Sequence, residues 1–423
     1  MKKIKYLIIG AGISGLTFAN YVNDDYIVVE KENEVGGYCR TFKRKDYVWD
    51  YAGHFFHFKT DEFKKKFLDK MNSDDIIYND KCTKILYKNK FIDFPFQTNI
   101  HQLEKEEFID CLYDLFNKEE KDRYDNFLDM LYGKFGKSIV EKFLKPYNEK
   151  LYAIDLTKLD VDAMGRFFPY ADKDAIIKNM KNHEVNSYNS SFLYPKNGAG
   201  SFIKILYDNL DQNKVLLNTS VNCIDIENKI ATLSNGEEIS YEYLINTMPL
   251  NRFLELLKEY EDLVNEMSYN KVLVFNLGFD KPSSLCTKEH WLYIPDKNDN
   301  YYRLGFYNNI LKEEKLSMYV EIGYSKDDNI NQNEIDKQLE LTLKNLEKDG
   351  IISSNMKLID SMSIIMDPAY VHISTETTKK IDELKENFAK ENIYTIGRYG
   401  AWIYNSMEDS MVVATDLAEK LEE

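Results

Sequence analysis

The apolar positions of the chain fall into short unbroken runs and longer helix-spaced stretches, and their order predicts the architecture. An unbroken run, Tyr6–Ile9, leads into Gly10-Ala11-Gly12-Ile13-Ser14-Gly15, and a helical stretch covers Ile13–Tyr21. A second run, Tyr26–Val29, ends in Glu30. Runs of this kind suit strands buried on both faces of a parallel sheet. Strand, glycine turn, helix, strand and acid together form the context in which GxGxxG holds a dinucleotide. Gly10 allows the tight turn, Gly12 lets the backbone approach a pyrophosphate, and Gly15 lets the helix pack on the strand. The helix start, with Ser14 in its turn, offers unpaired N–H groups and a positive dipole end to phosphates. Glu30 is placed to accept from ribose hydroxyls.

Further along, the pattern predicts a helix over Asp61–Met71 and strands over Ile76–Leu86 and Lys90–Phe94. Helical spacing covers Leu103–Tyr132, with Glu104, Glu106 and Glu107 at its start, and again Phe135–Leu144. Pro146–Tyr152 breaks that pattern and Asp160–Phe167 resumes it. A strand into a glycine turn (Asn189–Gly200) precedes a helix over Ser201–Leu210. Val215–Leu217, Val221–Ile226 and a hairpin around Asn235-Gly236 follow, and Tyr243–Leu250 is a buried strand returning to the nucleotide-binding part. Strands are expected at Val272–Phe279, Trp291–Pro295, Tyr301–Phe306, Met318–Gly323 and Lys357–Met366. Helices are expected at Asn331–Asp349, Lys379–Lys390 and Ser410–Leu421, the last after a further strand-to-glycine turn, Ile393–Trp402. Nucleotide-binding pieces thus stand at the start, middle and end of the chain. The expected class is α/β: a Rossmann-like domain (1–75, 192–250 and 390–423), interleaved with a helical insertion (100–185) and an antiparallel β-sheet domain (76–99 and 251–389).

Composition narrows the partners. The chain has 423 residues, enough for two or three domains, and a net charge of −16 that argues against non-specific nucleic-acid binding. An anionic substrate would need cations supplied locally. Five cysteines without CxxC spacing predict neither a disulfide framework nor a metal site, and a reducing cytoplasm is the expected setting. No run reaches the roughly 18 apolar residues of a membrane span. The short N-terminal run belongs to the glycine turn, so no secretory signal is expected.

Candidate chemistry gathers around a few motifs. Glu34-Val35-Gly36-Gly37-Tyr38-Cys39-Arg40-Thr41 places a second glycine pair just beyond the acid, which suits an extended dinucleotide crossed by two loops. Tyr47–His54 is a strand into a small-residue turn; small residues there would let the backbone approach a flat ring, although a capped turn would account for His54 equally well. Phe94-Pro95-Phe96-Gln97-Thr98-Asn99 alternates aromatics with amides, as a base pocket would, or as a loop anchored by two core phenylalanines would. Arg166 either faces a ligand or pairs with Asp160 or Asp162.

Taken together and in order, GAGISG, EVGGYCRT, DYAGHFFHF, FPFQTNI, KPYNEKLYA, GRFFP, NSSFLYP, WLYIP with YYRLGFYNN, and GRYGAWIYN resemble the UDP-galactopyranose mutase family, nearer its longer eukaryotic-like branch. The resemblance runs from Lys5 to about Leu417. It implies FAD that works in the reduced form, with flavin N5 attacking the anomeric carbon of a UDP-sugar and displacing UDP. The sugar then opens, recloses as the five-membered ring and rejoins UDP, with no net redox change. It further implies that Gly10, Gly12, Ser14, Gly15, Glu30, Gly36, Gly37, Arg40, Gly397 and Arg398 hold the flavin and that His54 lies near N5. Arg166 and Arg303 would clamp the diphosphate. Phe94, Phe96, Gln97, Phe143, Asn148 and Tyr152 would form the uridine pocket. Asn189 and Trp291 would border the sugar or a mobile flap, and Tyr293, Tyr370 and Tyr404 would donate to phosphate oxygens. NAD(P)H, as a possible reductant, would have to share the sugar cleft, and a homo-oligomer remains open. Ala52 in place of Gly, Tyr152 in place of Trp, and the short Asn405–Ser410 segment depart from the family pattern at the sugar end. The competing readings are an FAD-dependent oxidase or desaturase of the amine oxidase or protoporphyrinogen oxidase type, and a non-catalytic flavin- or nucleotide-sugar-binding protein.

Overall fold

In the computed structural model, which describes residues 2–23, 25–163, 168–182 and 190–423, strand Lys2–Ile9 is the centre of the first sheet. It pairs in parallel with Tyr26–Val29 on one side and with Glu238–Asn246 on the other. Val215–Leu216 extends the sheet beyond Tyr26–Val29, and Ile393–Thr395 pairs in parallel with Glu238–Asn246. The hairpin Val221–Asp225/Ile230–Leu233 adds antiparallel strands at the other edge. The unbroken apolar runs are explained by burial on both faces. Tyr6 and Ile8 pack with Leu16, Phe18 and Met411, against helices Ile13–Tyr21 and Met407–Glu422. Leu7 and Ile9 pack with Phe253, Leu384 and Phe388, from helices Leu250–Leu257 and Thr375–Lys390.

The second sheet has seven strands, in the order Leu358–Val371, Tyr269–Phe279, Ser317–Ser325, Arg303–Phe306, Trp291–Tyr293, Thr83–Tyr87 and Lys90–Asp93. It is mixed rather than antiparallel, because Trp291–Tyr293 runs parallel to Thr83–Tyr87. One face carries Leu273, Phe275, Leu304, Val320 and Ile322 against Leu346 of helix Gln332–Lys348. The opposite face, with Val272, Val274, Trp291 and Tyr319, belongs to the core shared with the helical segment.

Several boundaries differ from the sequence expectation. Ile76–Leu86 is two strands: Ile76–Asp80 pairs with Ser191–Pro195, whereas Thr83–Tyr87 joins the large sheet. Pro146 does not end the helix. Lys137–Ile139, the wide π turn Val140–Leu144 and Lys145–Tyr152 follow one another without a gap. Proline lacks an N–H and crowds the preceding turn, and a widened turn before it accommodates both. Leu358–Val371 continues through Asp367-Pro368 as an outer strand, where a missing ladder donor is tolerated.

Asp50 joins the two sheets. It is fully buried, at 0% exposure, at the end of strand Tyr47–Asp50. Its carboxylate accepts from Thr41 Oγ1 (2.5 Å), Tyr194 Oη (2.6 Å) and the Ala199 amide (3.2 Å). Its carbonyl accepts from Asn276 Nδ2 (2.9 Å) and its amide donates to Tyr307 Oη (3.1 Å), both from the large-sheet side.

Two glycines of the first turn make opposite predictions. A Cβ at Gly15 would lie 2.0 Å from the Gly10 carbonyl oxygen, whereas a Cβ at Gly12 would meet no protein atom within 4 Å. Gly15→Ala is therefore expected to lower stability by about 1–3 kcal/mol through forced backbone displacement. Gly12→Ala is expected to leave the thermal midpoint of the apoprotein unchanged while weakening cofactor retention. Thermal denaturation and flavin absorbance after desalting, measured on both variants, check the contrast.

Candidate functional site

The glycine turns form a two-loop cradle. Gly10 N–H donates to the Val29 carbonyl (2.8 Å), which fixes the strand-to-helix turn. Gly36 N–H donates to the Ala11 carbonyl (2.8 Å), and a Cβ at Gly37 would lie 3.6 Å from Gly12 Cα. The second glycine pair is thus laid across the first. Gly12 caps the helix Ile13–Tyr21 without a side-chain cap, so the first-turn N–H groups stay available for an anion. Glu30, buried, accepts from Ala11 N (2.8 Å) with one carboxylate oxygen and from Glu32 N (2.9 Å) with the other. Each oxygen retains capacity for another donor. Arg40 is held by the Gly37 carbonyl (2.9 Å) and by the Tyr51 hydroxyl. A Cβ at Gly397 would lie 2.4 Å from Ser14 Oγ, so the third glycine turn closes on the first helix.

This arrangement fits a flavin dinucleotide. The space beside Gly12 is free of protein, the anion-binding helix start points into it, and an acid stands at the end of the second strand.

A cleft of about 1510 Å³ lies beside the cradle, between the large sheet and the helical segment. Register explains its floor. Tyr293 is opposite Ile85 and Arg303, Arg303 is opposite Glu321, and Trp291 is opposite Thr83 and Gly305. Residues opposite one another share a face, so Trp291, Tyr293, Arg303 and Glu321 stand on one surface. A Cβ at Gly305 would lie 2.0 Å from the Tyr319 ring, and one at Gly53 would lie 2.4 Å from the Tyr319 hydroxyl. Tyr319 thereby brings the His54 turn down onto the sheet.

Arg303 is the fixed cation of this floor. Its Nε donates to Glu321 Oε2 (2.7 Å) and its Nη2 to Glu321 Oε1 (2.6 Å). Glu321 is 2% exposed at its side chain and Arg303 21%, so the pair is buried at its acidic end and open at its basic end. A guanidinium has about five N–H donors, and the two used by Glu321 leave the remainder for the cleft. Glu321 had no local signal in the sequence; only the strand register brings it under Arg303.

His54 lies between the cradle and the cleft. Burial, with Arg398 and Arg303 nearby, holds its pKa down to about 4. Its Nδ1 is 3.1 Å from the Ala52 carbonyl, which can only accept, so Nδ1 carries the proton and Nε2 is an acceptor. Arg398 donates to the Asn405 carbonyl (3.1 Å) and lies over the Tyr404 ring (4.2 Å), with Tyr404 stacked on Tyr370 (5.8 Å). Burial raises the Tyr293 and Tyr370 hydroxyls above their ordinary pKa, so both remain protonated donors.

The expected uridine pocket divides. Phe94, Gln97, Phe143 and Asn148 line the cleft, with Tyr147, which the sequence reading missed. Phe96 is wholly buried behind Phe143, the two rings stacked at 5.1 Å. Tyr152, 1% exposed, packs against Phe127 and His372 rather than lining the cleft. Gln97 Nε2 donates to the Pro169 carbonyl and Asn148 Nδ2 to the Leu144 carbonyl (2.6 Å). Their oxygens, Gln97 Oε1 and Asn148 Oδ1, are buried with no hydrogen-bond partner among the described residues. A buried acceptor left unpaired costs about 1–3 kcal/mol, and here both belong to cleft-lining side chains. Arg166 and Asn189 lie outside the described residues.

These features define a flavin-binding enzyme fold, and the chain belongs to the flavin containing amine oxidoreductase family, whose sequence model matches residues 13–347. Among solved structures it is similar to a reduced UDP-galactopyranose mutase, with a TM-score of 0.92 and 22% identity over 100% of this chain and 94% of that one. It is also similar to a putative protoporphyrinogen oxidase from Exiguobacterium sp. 255-15, with a TM-score of 0.75 and 17% identity over 100% and 98% of the chains. A fatty acid isomerase from P. acnes follows, with a TM-score of 0.65 and 13% identity over 99% and 98%. These likenesses show a shared fold. Among the described residues, no helix is long and apolar enough to cross a membrane.

Removing Glu321 leaves the Arg303 charge uncompensated at its buried end. Glu321→Ala is expected to cost roughly 1–3 kcal/mol, reduced from the fully buried case because Arg303 is partly exposed. The midpoint and slope of urea denaturation measure it.

Burial pushes the Asp50 carboxyl up to about 7, against the opposing effect of its Thr41, Tyr194 and Ala199 donors. A folded-state pKa above the unfolded one gives stability that is full below about pH 4 and lost as pH rises through about 7. Thermal midpoints at about pH 5 and about pH 8 should therefore fall in that order for the native chain, and Asp50→Asn should lose that part of the slope.

Proposed function

We propose that this protein is a flavin-dependent mutase of a UDP-sugar, interconverting UDP-galactopyranose, or a close relative, with its furanose form. The observation that carries the reading is the cleft's polar equipment. A guanidinium fixed by Glu321 and two orphaned amide oxygens share one aromatic-lined space in a chain of net charge −16. An amine or an apolar substrate would leave this equipment unused, whereas a diphosphate and a uracil N–H would satisfy it.

The division of labour follows from the residues. Gly12, the start of helix Ile13–Tyr21, Gly36, Gly37, Glu30 and Arg40 would hold FAD, with Gly397 and Arg398 closing the other end. Reduced FAD, when bound, supplies a nucleophilic nitrogen able to accept a glycosyl group and return it without net electron transfer. Arg303, joined by Arg166 in this reading, stabilises the charge that develops on the departing diphosphate. The hydroxyls of Tyr293, Tyr370 and Tyr404 add donors without adding charge. Phe94, Phe143 and Tyr147 offer faces for the base, and Gln97 or Asn148 accepts from its ring N–H. Trp291, and Asn189 in this reading, would border the sugar. His54, neutral and with Nε2 as an acceptor, suits the N–H of a reduced flavin better than the bare nitrogen of an oxidised one. Family membership also favours a second reading, substrate oxidation of the amine oxidase or protoporphyrinogen oxidase type.

The test is turnover of UDP-galactopyranose by flavin-loaded protein reduced with dithionite under anaerobic conditions. A new UDP-hexose of unchanged mass, absent without reductant, is expected. Arg303→Ala should abolish that product and weaken UDP binding by at least roughly tenfold. No conversion, together with steady oxygen consumption on an amine, would establish the oxidase reading instead.

A further inference from the structure

Lys81 sits between strands Ile76–Asp80 and Thr83–Tyr87, on the wall of the same cleft. Its backbone N–H donates to the Ser190 carbonyl (2.8 Å). Its ammonium lies 5.6 Å from the centre of the Phe94 ring and 5.7 Å from that of Trp291. The Phe94 ring is in turn 4.6 Å from that of Tyr293, the cross-strand neighbour of Arg303. Lys81, Phe94, Trp291, Tyr293 and Arg303 are therefore one continuous wall with a cation towards each end.

We infer that Lys81 is a further binding residue of this cleft, its ammonium engaging the anionic diphosphate of a nucleoside-diphosphate substrate alongside Arg303. The inference rests on the nucleotide-sugar reading above and adds a further cation to it. An ammonium resting against two aromatic faces is partly stripped of water, and that strengthens its attraction for an anion. In an acidic chain such a charge must be local to be effective.

Lys81 also differs from an arginine in being able to lose its charge near neutrality. Burial pulls its pKa down to about 8. Other titratable groups lining the same cleft, among the described residues, are the flanking Asp80 and Cys82, Lys84 paired with Asp93, His57, Lys59 paired with Asp409, Glu408 and Lys178 of helix Lys173–Asn182, with Glu289 and His290 beside Cys82. His57 and His290 are held neutral by burial, with pKa values of about 4. Glu408 accepts from the backbone of Lys59 and Thr60. Lys150 is also lowered to about 8; it donates to the Ile294 and Asp296 carbonyls and is not part of the cleft lining. An anion favours charged Lys81, so affinity should be full below about pH 8 and decline above it.

The experiment measures UDP binding to the flavin-loaded protein by titration calorimetry at about pH 7 and about pH 9.5, at constant ionic strength. The native chain, Lys81→Met and Lys81→Arg are compared. Native affinity is expected to fall roughly tenfold between the two pH values, and Lys81→Met to be weakened roughly tenfold already at the lower one. Ionisation of the uracil N–H weakens all three chains alike at the upper pH, so the native chain should lose more affinity with pH than Lys81→Met, and Lys81→Arg should match the native chain at the lower pH and lose no more than Lys81→Met. Unaltered UDP binding by Lys81→Met at both pH values would overturn the role of Lys81 and leave the nucleotide-sugar reading standing. Absence of UDP binding by the native chain would overturn both.

Discussion

The structure depends on a carboxylate placed where no water reaches it. Asp50 ties the strand after the second glycine pair to the Gly198–Gly200 turn, and through its backbone to the large sheet. Neither sheet alone makes a site. The cradle lies on the loops of the first, the cleft floor lies on a face of the second, and Asp50 fixes one against the other. Neighbouring side chains repeat the connection: Trp49 donates to Ser317 (2.9 Å) and Tyr47 to the Phe279 carbonyl (2.8 Å). Buried polar contacts of this kind fix a single relative placement, because each leaves an unsatisfied group if it slips.

Within that frame, two styles of polar contact are used for two ligand parts. The cradle works through backbone: N–H groups at a helix start, with glycines allowing close approach. The cleft works through side chains set on strands, where the alternation of the pleat aims every second residue inward. Strand-mounted groups are positioned by an entire ladder of hydrogen bonds, and this suits a region where a cation, aromatic faces and neutral hydroxyls must be kept in register.

Legibility in the sequence followed the range of the interaction. The glycine turns, Glu30 and the buried strands were readable because strand, turn and helix are encoded within some thirty consecutive residues. The Pro146 helix was misjudged because a local rule about proline was overridden by a widened turn. Aromatic alternation identified the Phe94–Asn99 loop but not depth, so Phe96 and Tyr152 were expected in the pocket and lie behind it. Glu321, Tyr147 and Lys81 carry no local signature. Strand pairing or helix packing between distant segments brings Tyr147 and Lys81 to the cleft and Glu321 beneath Arg303, and no motif reports that.

The Arg303–Glu321 pair has one more consequence. An arginine free to swing would surrender side-chain entropy at every encounter with a ligand, whereas this one has already surrendered it on folding. The ordering is charged once, to the stability of the chain, and not to each catalytic cycle. In the proposed reading, ligand affinity and fold stability are thereby coupled through one acidic side chain, and drift at the strand carrying it would loosen recognition before it unfolded anything.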